Sequence, residues 1–112
     1  MKIQGHKVGA AVVVEVEGRL DSVTSSELEK EILSYLQSGE HNLLIDFAGL
    51  DYISSAGLRV LLMAAKKAKA EGGRVVLANL VKNVKEVFDI AGFTSIFPVF
   101  QSQDDALAAF KG

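Results

Sequence analysis

The segment Asp51-Tyr52-Ile53-Ser54-Ser55-Ala56-Gly57-Leu58-Arg59-Val60-Leu61-Leu62 decides how this chain is read. An apolar strand ends within it, and from Ser55 onward apolar residues recur at helical spacing, so two serines stand where strand gives way to helix. A helix N-terminus carries unpaired N–H groups and the positive end of the macrodipole. A negative group on Ser55 is stabilised there by about 0.3–1 kcal/mol when exposed. The turn is a natural seat for a phosphate.

Working outward, the helix is expected from Ser55 to about Ala70, with Leu58, Leu61, Leu62, Ala65 and Ala68 on one face. Arg59, Met63, Lys66, Lys67 and Ala70 fall on the other, which places Met63 toward water. Ahead of the segment, Asn42–Phe47 is an apolar run of strand length that suits a central strand buried on both faces. Behind it, Gly72-Gly73 makes a turn and Arg74–Ala78 a strand rich in β-branched residues. Strand, helix and strand in succession imply a right-handed parallel crossover.

The two ends extend this pattern. Lys2 to Gly18 alternates loosely and reads as a two-stranded hairpin turning at Gly9. Thr24-Ser25-Ser26-Glu27 fits a capping box, with Val23 and Leu28 as its hydrophobic staple, so a helix is expected from Ser25. Leu28, Ile32, Tyr35 and Leu36 give that helix its apolar face, and Gly39 ends it. Toward the C-terminus, Val84, Val87, Phe88 and Ala91 mark a helix closed by Gly92. Ile96 to Phe100 is a short last strand, placed at the sheet edge by Pro98. A final helix runs from Asp104 to Phe110 with Ser102 as N-cap and Asp105 three residues on. The order is ββαβαβαβα: an α/β protein with helices flanking a mixed sheet, one domain over residues 1–112.

Composition narrows the chemistry. With 112 residues, 49% of them apolar, the chain can build a continuous core. A net charge of −2 supplies no basic field for nucleic acid, which is excluded as a partner class. The absence of cysteine removes disulfides, thiolate nucleophiles and thiolate metal sites. No apolar run approaches the ~18 residues of a membrane span and no signal-peptide pattern opens the chain, so no membrane insertion is expected and the cytoplasm is the expected location.

Ser54 and Ser55 invite a nucleophile reading, but a serine hydrolase needs a histidine base and usually a G-x-S-x-G elbow. Ile53-Ser54-Ser55-Ala56-Gly57 lacks the first glycine, and His6 and His41 carry no motif tying them to the serines. Both histidines read as solvated surface residues, and the chain reads as no enzyme. Metal-ligand spacing and phosphate-cradling glycine motifs are absent too, so no metal and no cofactor are expected. Asp46 and Asp51 near a strand end lack the acidic pair and lysine that would complete a receiver-type acid pocket. A helix start calls for one serine as N-cap. The second serine, beside Met63 and Arg59, points instead to a surface for a protein partner, because methionine adapts to a docking surface and arginine can meet acidic groups.

Gly18-Arg19-Leu20-Asp21, Thr24, Leu44-Ile45-Asp46-Phe47 with Leu50, Tyr52-Ile53-Ser54-Ser55-Ala56-Gly57-Leu58, and Val84 through Phe93 together resemble the anti-sigma factor antagonists of the STAS domain family. The resemblance implies a non-catalytic protein that binds an anti-sigma factor and so releases a sigma factor. It implies that this anti-sigma factor is a serine kinase using ATP, that it phosphorylates the antagonist in the turn before the second helix, and that a phosphatase reverses the modification. Ser55 stands at the phosphoacceptor position and Ser54 is the second candidate. The family pattern Asp-Ser-[Ser/Thr]-Gly is altered here, with Ser54 in place of the aspartate and Ala56 in place of the following hydroxyl. Asp21 matches an acidic position expected near the serine turn. Asp21, Ser54, Ser55, Gly57, Arg59 and Met63 form the expected partner surface. The same domain type also implies an alternative, a subunit of a lipid-transport or other membrane-associated complex that docks a partner without being phosphorylated.

Overall fold

Strand β1 (Lys2–Val8) turns through Gly9, whose φ is +59°, into β2 (Ala11–Leu20), which pairs with it antiparallel. The computed structural model describes residues 1–110. After β2 come α1 (Thr24–Gln37), β3 (Asn42–Ile53), α2 (Ser55–Ala70), β4 (Arg74–Ala78), α3 (Lys82–Ile90), a single 3₁₀ turn (Phe93–Ser95), β5 (Val99–Phe100) and α4 (Gln103–Ala108). The five strands form one sheet in the order β1-β2-β3-β4-β5, with every pair after the first parallel. This is the expected α/β order, with β3 at the centre. None of the described helices is long and apolar enough to cross a membrane.

Alternation along the strands divides the core in two. Val12, Val14 and Val16 of β2, Leu43, Ile45 and Phe47 of β3, and Val75 and Leu77 of β4 meet Leu28 and Ile32 of α1, Leu61, Ala64 and Ala68 of α2, and Val84 and Phe88 of α3. Val13, Leu44, Val76 and Ala78 point the other way and are covered by Ala106 and Leu107 of α4 with Phe100 and Phe110. Three helices lie on one face and one short helix on the other. The second face is therefore left open beside β1, where Lys2, Gln4, Glu15 and Glu17 line a polar trough.

Several boundaries move for physical reasons. β3 does not stop at Phe47 but runs to Ile53, because β2 continues alongside it through two register shifts, between Glu15 and Glu17 and between Gly18 and Arg19. Helix α1 starts at Thr24, and the capping box and staple are not made. Val23 occupies the N-cap position without a side-chain hydrogen bond and is 72% exposed. Asp21 does that work instead, accepting from the Val23 and Thr24 amides. At its other end α1 closes as expected, with Gly39 at φ +92°, and the Gly39 and Glu40 amides donate to the Leu36 and Tyr35 carbonyls.

The apolar face of α2 is rotated from the expected one. Gly57, Val60, Leu61, Ala64 and Ala68 are buried, while Leu58, Leu62 and Ala65 are half-buried on its flank. Packed beside α1 on one face of the sheet, the helix turns toward the core the stripe that carries its small residues Gly57, Ala64 and Ala68. The last strand keeps only Val99 and Phe100, since the Ile96 and Phe97 amides donate back to the Phe93 carbonyl of the 3₁₀ turn and Pro98 cannot donate to the ladder. Helix α4 begins at Gln103 and ends at Ala108, short of Phe110, with Ser102 Oγ accepting from the Asp105 amide at 3.1 Å as expected.

Candidate functional site

The C-terminal ends of β2 and β3 bring the serine turn and Asp21 together. The Ser54 amide donates to the Leu20 carbonyl at 2.8 Å, so the residue before Asp21 is bonded to the residue before Ser55. Ser54 is extended at φ −94°, ψ 173°, and its Oγ accepts from the Gly57 amide at 3.3 Å, making it the N-cap of α2. Ser55 is the first helical residue and is exposed. The two serines have divided roles: one hydroxyl is engaged in the cap, and the next faces solvent at the positive end of a 16-residue helix.

Gly57 lies under this turn. A Cβ there would meet Ile53 Cγ1 at 2.8 Å and Leu20 Cβ at 3.1 Å, so glycine lets the first turn of α2 rest on the ends of β2 and β3. The turn's position over the sheet depends on that missing side chain.

Asp21 is held by its own loop. Oδ1 accepts from the Thr24 amide at 2.9 Å and the Val23 amide at 3.0 Å, and the Thr24 hydroxyl lies 3.0 Å away. The same hydroxyl accepts from the Asp21 amide at 2.9 Å and lies 2.6 Å from the Arg19 carbonyl. These bonds favour the charged carboxylate. The backbone amide and then the hydroxyl of Thr24, with lesser help from the Val23 amide and the Arg19 charge, hold it below the ordinary value of 3.8 against an opposing effect of burial. Because the folded carboxyl is the stronger acid, its contribution to stability is fully present above the ordinary value. It is lost as the pH falls through the lowered folded midpoint. An NMR titration of the Asp21 carboxyl should find its midpoint below 3.8, and Thr24→Val should raise it. A midpoint unmoved by Thr24→Val would show that the Thr24 hydroxyl takes no part in holding the carboxylate, leaving that to the Thr24 and Val23 amides.

Arg59 is exposed, as expected, on the solvent side of α2. Met63 is not turned to water: it is half-buried against the core and, with the buried Val60, lines a groove of about 350 Å³ between the N-terminal halves of α1 and α2. Ser22, Ser26, Glu29, Ala56 and Arg59 line the rest of this groove, which also touches Ser25, a buried serine whose Oγ has no hydrogen-bond partner. Serine turn, Asp21 loop and groove share one end of the molecule.

Two features of this end were not read from sequence. The Arg19 guanidinium lies 4.3 Å from the centre of the Tyr52 ring, and Tyr52 is 40% exposed beside Ser54 and Ser55. Arg19 and Tyr52 are cross-strand partners only because of the second register shift, which no sequence period announces. Asn83 of α3 donates to the Asp51 carbonyl at 2.7 Å and ties that helix to the end of β3.

Elsewhere, His6 is exposed as expected, whereas His41 is half-buried with its Nδ1 sealed from solvent and unpartnered. Asp46, only 5% exposed, accepts from the Ala48 amide, Asn79 Nδ2 and Gln103 Nε2. Gln103 Nε2 also reaches Glu15 Oε2 at 3.0 Å, so the buried acid fastens the start of α4 to β2, β3 and the end of β4. Apart from the Ala48 amide two residues on, its partners come from two remote segments, and the short sequence around it held no sign of them.

Residues 2–106 match the STAS domain family. BtrV of Bordetella bronchiseptica, described as a candidate anti-sigma factor antagonist, is 42% identical over 111 residues, covering 99% of this chain and 96% of that protein. The crystal structure of an anti-sigma factor antagonist from Mycobacterium paratuberculosis superposes with a TM-score of 0.90 at 25% identity, over 99% of this chain and 94% of that one. SpoIIAA, solved in an unphosphorylated and a phosphorylated form, shares the fold. Its TM-scores are 0.77 and 0.78 at 21% and 20% identity, over 99% and 98% of this chain and 99% and 100% of those. The chain therefore belongs to the STAS domain family and, within it, to the anti-sigma factor antagonists, which are non-catalytic binding proteins.

Proposed function

We propose that this protein binds an anti-sigma factor serine kinase through the Ser55 end of the molecule, releasing a sigma factor in the cytoplasm, and that phosphorylation of Ser55 by that kinase breaks the complex. A serine phosphatase would restore the binding form. The observation that carries this reading is the division of labour in the turn: Ser54 Oγ is engaged in capping α2, whereas Ser55 is exposed on the first helical turn next to the Asp21 loop. A hydroxyl that a kinase is to modify must be reachable and free of a structural duty, and Ser55 meets both conditions.

Two further observations support it. The surface around Ser55 combines exposed apolar and aromatic area at Val23 and Tyr52 with the charges of Arg19, Asp21 and Arg59, the mixed character of a protein-binding patch. SpoIIAA, which shares the fold, exists in a phosphorylated form. Phosphorylation adds about −1.5 to −2 charges at pH 7. The helix N-terminus tolerates that charge, so the modification acts on association and leaves the fold intact.

Incubation with the cognate kinase and ATP, followed by mass spectrometry of the peptide carrying Ser54 and Ser55, tests the assignment. One phosphate is expected on Ser55, and none on Ser55→Ala. Ser54→Ala should remain a substrate while losing about 1 kcal/mol of stability with its cap. Phosphate on Ser54, or on neither serine, would overturn the switch.

A further inference from the structure

A second concave surface lies on the other flank of α2, toward the helix C-terminus and away from Ser55. It is a groove of about 470 Å³ between α2 and the segment that leads from the 3₁₀ turn into β5. That volume falls within the range of small-molecule sites, roughly 300–1,000 Å³. Val75 and Phe97, 4% and 2% exposed, form its floor, and Leu62 and the 50% exposed Ile96 line it.

Its charge is one-sided and its polarity runs lengthwise. Lys66 and Lys69 stand one turn apart on the α2 wall, both exposed and in no ion pair among the described residues. No carboxylate lines the groove. Leu62 precedes Lys66 by one turn, so the α2 wall passes from apolar to cationic along the helix. The opposite wall begins with Arg74 at the start of β4, whose guanidinium is already directed to the Ala109 carbonyl at 3.4 Å, and continues to Val75. The two lysines thus hold the groove's unspent charge. The carbonyls at the C-terminus of α2 account for a cation at Lys69; they do not account for Lys66 beside an open apolar floor in a protein whose net charge is −2.

We propose that this groove is a binding site for a small anionic amphiphile, a carboxylate on an acyl chain of medium length. The head group is held by Lys66 and Lys69, and the chain lies over Val75 and Phe97 toward Leu62 and Ile96. The ligand is taken as a dissolved monomer; an extended membrane surface cannot enter a groove this short.

The test is titration of the full chain with sodium dodecanoate, kept below micelle formation, by calorimetry and by ¹H–¹⁵N NMR. Saturable binding is expected, with shifts concentrated at Leu62, Lys66, Val75 and Phe97. The double variant K66E/K69E, shown folded by circular dichroism, should bind at least tenfold more weakly, and dodecyltrimethylammonium should not compete. Failure to saturate, shifts centred elsewhere, undiminished binding by K66E/K69E, or equal binding of the cationic amphiphile would each overturn the site. Flotation with phosphatidylglycerol vesicles in the absence of dodecanoate binding would overturn it in favour of a membrane surface.

Discussion

Ser55→Asp is expected to weaken binding to the anti-sigma kinase by about 100-fold, equivalent to about 2.7 kcal/mol, while leaving the protein folded. Ser55 lies at the middle of the proposed contact surface, exposed and flanked by Tyr52 and the Asp21 loop. A carboxylate placed there is welcome within the free protein, because the first turn of a helix stabilises negative charge by about 0.3–1 kcal/mol. In the complex it is covered, and a buried charge without a partner costs several kcal/mol. It also adds to Asp21, held in its charged form by the neighbouring amides. Calorimetric titration against the kinase reads this loss directly. Ser55→Asn, which changes shape and polarity but not charge, should retain most of the affinity and so separates charge from the lost hydroxyl. Thermal unfolding of Ser55→Asp should stay close to that of the parent. Equal binding by the aspartate and asparagine variants would mean that charge does not work the switch.

The largest effect on stability is expected at a position far from the site. Gly73 lies between α2 and β4, and a Cβ built on it would collide with the backbone carbonyl of His41. That carbonyl accepts from the Arg74 amide at 3.1 Å and starts the pairing of β3 with β4. An alanine therefore cannot be relieved by rotating a side chain; the strand itself has to move. Gly73→Ala should cost about 3 kcal/mol, the upper end of overpacking, and lower the midpoint of thermal unfolding by roughly 12 °C for a domain of this size. The neighbouring Gly72 makes the comparison sharp. It has φ +82° and open space where a Cβ would go, so Gly72→Ala should cost only the backbone strain of about 1 kcal/mol. Equal losses at the two positions would show that close approach to His41 is not what requires Gly73.

Much of the fold was legible because the chain's local and tertiary demands agree. The limits of α2, the turns at Gly9, Gly39 and Gly92, and the Ser102 cap each rest on residues within a few positions of one another. The central strand was recognisable from Asn42 to Phe47 because burial on both faces leaves an unbroken apolar run. Beyond Phe47 the signal fails: Ala48, Gly49, Asp51 and Tyr52 are exposed, and only pairing with β2 keeps them in a strand. The first cap failed for a related reason. Thr24-Ser25-Ser26-Glu27 satisfies the local rule, but the Asp21 carboxylate already occupies the Thr24 amide and the Thr24 hydroxyl is turned to the Arg19 carbonyl.

By itself, then, the sequence determined the order of strands and helices, the family resemblance and the position of two serines at a strand-to-helix turn, because hydrophobic period, glycine turns and caps act over short stretches of chain. Tertiary structure alone decided which serine hydroxyl is engaged and which exposed, that Met63 lines a groove, that Arg19 lies over Tyr52, and that Asp46 is spent on fastening α4. Each of these depends on the register between strands or the rotation of a helix over the sheet. Both are set by the packing of residues distant in the chain, for which a single sequence carries no local signal.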